Sequence, residues 1–125
     1  MKPGDKGLTL IECLVAMVIT MIGLLAVFQL VALSVKIENF SYRSMEANNL
    51  AVNKIEELKI GTLTNGGSLT SNVSGYSDTT NTGYIVRWQI SDGSVGVGTK
   101  YVVVEVTPQN TSVKYASVKL ETLIR

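Results

Sequence analysis

Three periodicities follow one another along this chain. From Leu8 to Val35 the run is apolar, interrupted only by Thr9, Glu12, Cys13, Thr20, Gly23, Gln29 and Ser34. About 20 apolar residues cross the hydrocarbon of a bilayer, so this segment is expected to span a membrane. Helical spacing then continues: Ile37, Phe40, Ala47, Ala51, Ile55 and Leu58 recur at three-, four- and seven-residue steps and predict one apolar stripe. No proline interrupts Leu8 to Lys59, and Gly61 offers a stop with Lys54 and Lys59 near the negative end of the dipole. The pattern predicts a single helix of about 52 residues, about 78 Å at 1.5 Å per residue, with a membrane half over 8–35 and an amphipathic half over 36–60.

Beyond it, residues 61–83 are dominated by Thr, Ser, Asn and Gly and are expected to be a polar loop. The period then drops to two. Residues 83–92, 99–108 and 113–124 predict strands of an antiparallel meander, making 84–125 a small sheet head. Alternation places Val102, Val104 and Val106 on one face, and Ala116, Val118, Leu120 and Ile124 on one face of the next strand. Trp88, alternating with Val86 and Ile90, is expected in the core. The fold class is therefore α+β, with the amphipathic half of the helix as the partner of a sheet too small to stand alone.

Charge and composition narrow the function. With 11 Lys+Arg against 10 Asp+Glu, and no basic block, no nucleic-acid partner is indicated. There is no histidine and one cysteine, which removes the commonest general base, the commonest metal ligand and any intramolecular disulfide. No catalytic residue, cofactor or metal site is expected. Asp78 and Asp92 are too far apart for a calcium cage, and Gly93, Gly96 and Gly98 lead into a β-branched strand, as a hairpin turn does and a phosphate loop does not. Cys13 follows Ile11 and Glu12, which does not suit lipidation, and packing in the membrane is the simpler reading. The glycosylation tripeptides at Asn39, Asn72 and Asn110 are what an Asn/Ser/Thr-rich chain gives by chance.

Glu12 is the one charge inside the apolar run. A charge at membrane depth is costly, roughly 2.5–3.5 kcal/mol on insertion scales, and calls for a partner. Two readings stand. Thr9-Leu10-Ile11-Glu12 fits a capping box, in which the carboxylate returns to the helix start. Alternatively, residues 1–7 are a polar leader, with Lys2, Lys6 and the amino terminus outweighing Asp5, which keeps this end cytoplasmic. Cleavage after Gly7 would then create an amino group at Leu8, one helical turn from Glu12, to neutralise it in the same or a neighbouring chain. Cleavage at Ala32-Leu33-Ser34 by ordinary secretion conflicts with an apolar run longer than a secretory h-region.

Gly7, then LTLIE running into LVAMVITMIGLL, resembles the class III signal of type IV pilins and of the pseudopilins of type II secretion. The wording TLIECLVAMVI, with YIVRW followed by KYVVVEV, is most similar to V-type minor pilins and I-type minor pseudopilins. The resemblance implies a pilin-like fold and cleavage after Gly7 by prepilin peptidase. It also implies methylation of Leu8, a role for Glu12 in assembly, and bundling of the helix with other pilin or pseudopilin subunits. It places the chain once across the bacterial inner membrane, head in the periplasm, before it enters a pilus or pseudopilus. Leu8 stands where phenylalanine or methionine is usual, Gln29 where major pilins carry a proline, and the single cysteine forbids their C-terminal disulfide. The last two departures point to a minor subunit. A membrane-tethered enzyme or a secreted binding protein is the reading from another class.

Overall fold

The structure, a computed structural model, describes residues 10–80, 83–110 and 117–125. Helix α1 runs over Leu10–Ile60, and five strands follow: β1 Gly66–Gly67, β2 Ser77–Asp78, β3 Tyr84–Asp92, β4 Lys100–Pro108 and β5 Val118–Ile124. The chain divides into two units, residues 1–39 and 40–125. In the first, the described residues are all helical and exposed, although the helix is apolar on every side. Thr20 satisfies its own hydroxyl by donating to the Ala16 carbonyl at 2.7 Å.

The second unit bears out the α+β expectation. Strands β3, β4 and β5 form an antiparallel meander in which Trp88 faces Val104, Val86 faces Val106, and Val104 faces Leu120. Because side chains alternate across a strand, this register gathers Tyr84, Val86, Trp88 and Ile90 beside Val102, Val104 and Val106 on one face. Those residues pack on Ala47, Ala51 and Ile55 of α1, with Leu50 and Leu58 flanking. Ala47 and Ala51 are fully buried, and so are Val102, Val104 and Val106. Small residues on the helix let its backbone lie close to the valine row. The Tyr84 hydroxyl donates to the Arg43 carbonyl at 3.2 Å and lies 3.3 Å from the Glu46 carboxylate, fixing one end of the sheet to the helix.

Two expectations are corrected. The buried stripe does not extend back to Ile37 and Phe40, which are 57% and 47% exposed; burial begins at Ala47, where the sheet supplies cover. The stretch expected to be only loop contributes β1 and β2, which pair in turn along the free edge of β3, at Gln89 and Ile90 and then at Val86 and Arg87. The close approach depends on glycine: at Gly67, with φ +91°, a Cβ would sit 2.1 Å from the Trp88 carbonyl oxygen. Tyr76 holds the intervening segment by bonding the Thr64 hydroxyl at 2.8 Å and standing 6.5 Å from the Trp88 ring. The expected turn between β3 and β4 is present, with Gly96 and Gly98 at positive φ. Ala116 lies outside the described residues.

At the other end of the sheet, Asp92 accepts from Lys100 and from Asn65 at 2.8 Å, and Lys100 also donates to Asn65 at 2.8 Å. Lys100 and Asn65 thereby hold the Asp92 carboxyl below its usual range. A depressed carboxyl favours the folded chain above its unfolded pKa of about 3.8, and that contribution is lost as pH falls through the folded value. Thermal melts followed by the single tryptophan, Trp88, should therefore hold a plateau above pH 5 and fall below about pH 4. Asp92→Asn should lower the plateau slightly and flatten part of that acid limb. An unchanged limb would mean other carboxylates carry it.

Candidate processing and assembly site

Glu12 lies in the first turn of α1, the end of a helix that favours negative charge. Around it Leu10, Ile11, Leu14 and Val15 are all more than half exposed, so the carboxylate stands in an apolar surface with no ion pair among the described residues. The next charged side chain along the helix is Lys36, about 36 Å away at 1.5 Å per residue. No described cation of this segment can therefore neutralise Glu12. Gly7, Leu8 and Thr9 lie outside the described residues, so the cleavage point and the capping bonds have no geometry here. The free thiol of Cys13 is exposed beside Glu12. By length and composition α1 is able to cross a membrane.

The head offers different chemistry. The Lys54 ammonium lies 4.2 Å from the centre of the Trp88 ring, a cation–π contact that joins helix to sheet, and 2.9 Å from Glu57 one turn along the same helix. Sequence spacing could not reveal this contact, because residues 54 and 88 meet only through the tertiary fold. Leu50, Asn53, Lys54, Glu57, Asp78 and Val86 line a cleft of about 100 Å³. Ligand sites run to roughly 300–1,000 Å³, so this cleft is small for a substrate. Thr80 donates to Asp78 through side chain and backbone and holds its carboxyl below the usual range. Among the described residues no group of His, Cys, Asp and Glu is placed to hold a metal.

Residues 2–28 match the family model of the prokaryotic N-terminal methylation motif. Neither a curated protein nor a solved structure matches the chain. The matched stretch contains Gly7, Leu8 and Glu12 and runs into the apolar start of α1. Together with the long helix packed on an antiparallel sheet, the match supports a type IV pilin-like prepilin signal. The motif points to a structural subunit, one processed by prepilin peptidase and assembled with other pilin subunits. An apolar helix directly after the signal fits insertion in a membrane.

Proposed function

We propose that the chain is the precursor of a minor type IV pilin. Prepilin peptidase cuts after Gly7, and the new terminus at Leu8 is methylated. The helix anchors the subunit in the bacterial inner membrane, with the leader cytoplasmic and the head periplasmic. Glu12 then meets the terminal ammonium of a neighbouring subunit as the chain enters a pilus or the complex that initiates it. The observation that carries this reading is the methylation-motif match over residues 2–28, continuous with the apolar start of α1. The absence of a second cysteine and Gln29 in the span favour a minor role by resemblance.

Mass spectrometry of membrane-extracted protein should show a terminus at Leu8, heavier by a methyl group. Gly7→Val should leave most of the chain at its precursor mass, because a branched side chain at the cut excludes the bond from a site shaped for glycine. A terminus at Val35 would instead indicate ordinary secretion. Processed protein that never appears in sheared filaments, but co-purifies with a secretion apparatus, would make it a minor pseudopilin.

A further inference from the structure

Gln29 is an amide in the last third of the apolar half of α1, between Phe28 and Leu30, which are 69% and 66% exposed. Thr20 solves the same problem by bonding its own helix. The Gln29 side chain makes no hydrogen bond among the described residues. Its own helix cannot complete it: interior backbone N–H groups are already engaged, so the amide oxygen has no donor there. Acyl chains offer none either, and an unsatisfied polar group in hydrocarbon is costly.

The residues around it form a seam. Val15, Ile22 and Gln29 repeat every seven, and so do Val18, Leu25 and Ala32, three residues after each; both rows fall on one helix face. β-branched residues in the first row, Leu25 in the second and one polar residue in the first row match the pattern that favours two parallel strands in fixed register. Lys36 continues the first row just past the apolar run, where its ammonium reaches water.

We infer that this face is a parallel, in-register dimerisation seam between two copies of the chain in the membrane, pinned by a Gln29–Gln29 hydrogen bond. Copies inserted by the same signal share one orientation, so Gln29 of each lies at the same depth. A primary amide is self-complementary, and each copy supplies the donor the other's oxygen lacks. The inference rests on the membrane-spanning reading of the segment and not on filament assembly.

The test is disulfide cross-linking of the full chain in native membranes, in a Cys13→Ala background. Ala32→Cys lies on the seam, whereas Val27→Cys lies on the far side of the helix. Oxidation should give a dimer with Ala32→Cys and little with Val27→Cys. Adding Gln29→Leu should cut the Ala32→Cys dimer about three- to fifteen-fold, the range of interhelical side-chain hydrogen bonds in membranes, and Gln29→Asn should restore part of it. Equal cross-linking at both positions, or a dimer indifferent to Gln29→Leu, would overturn the seam while leaving the membrane anchor intact. A Gln29-dependent adduct to a different protein in place of the dimer would overturn the choice of a second copy. Release of the chain by alkaline carbonate would overturn the membrane span and the seam with it.

Discussion

A fragment of residues 62–125 should fail to fold, whereas residues 40–125 should melt cooperatively. The reason is the interface between α1 and the sheet. Val102, Val104 and Val106 are completely buried, and Trp88 is 7% exposed, because Ala47, Ala51 and Ile55 cover them. Burying one such side chain contributes roughly 1.5–3 kcal/mol. Uncovering the valine row and Trp88 together therefore forfeits an amount comparable with the whole stability of a small domain, about 5–15 kcal/mol. The cut also removes the Lys54 contact to Trp88 and both acceptors of the Tyr84 hydroxyl. Circular dichroism melts and amide chemical-shift dispersion of the two fragments give the answer. Ala51→Phe in the longer fragment is a finer probe: overpacking at a fully buried alanine should cost about 1–3 kcal/mol. A sigmoidal melt from 62–125 would show that the sheet has another means of covering its inner face.

The same interface shows how far the sequence could be read. The alternation of Val102, Val104 and Val106, and the spacing of Ala47, Ala51 and Ile55, are each strict enough to name both faces of the core, because burial acts on every turn or every second residue. Strands β1 and β2 were not legible. Each has only two residues, β1 is Gly66–Gly67 with no side chains to alternate, and their pairing comes from the free edge of β3 and from Tyr76 rather than from local pattern. Periodicity also carried the stripe too far toward the N-terminus: Phe40 keeps helical phase with Ala47 but is nearly half exposed, since phase fixes a direction and not a covering element. At the N-terminal site Glu12 was legible because a carboxylate in an apolar run is chemically conspicuous. Its partner was not, because no cation among the described residues lies near it along the helix.

Glu12→Gln should leave membrane insertion and cleavage after Gly7 unchanged and yet sharply reduce incorporation of the processed subunit. The substitution removes charge while keeping size and hydrogen-bonding capacity, so it separates the two roles open to this residue. If Glu12 serves only its own helix as the third residue of a capping box, glutamine performs nearly as well and the variant should be almost silent. If instead it meets the Leu8 ammonium of an adjacent subunit, a neutral amide leaves that ammonium desolvated and unpaired. Breaking a buried ion pair by removing one partner costs about 3–5 kcal/mol. With a tenfold change for every 1.4 kcal/mol, the loss in partitioning is on the order of a hundredfold or more. The structure leaves room for this outcome, since Glu12 has no ion pair among the described residues and Lys36 is the next charge along the helix. The quantity to compare is processed protein recovered with sheared filaments or with partner subunits, normalised to processed protein in the membrane. Equal recovery from wild type and variant would remove the assembly role and leave the capping box as the account of Glu12. A raised precursor fraction would show instead that the carboxylate is read by the peptidase, and the ratio at equal processing separates that effect from assembly.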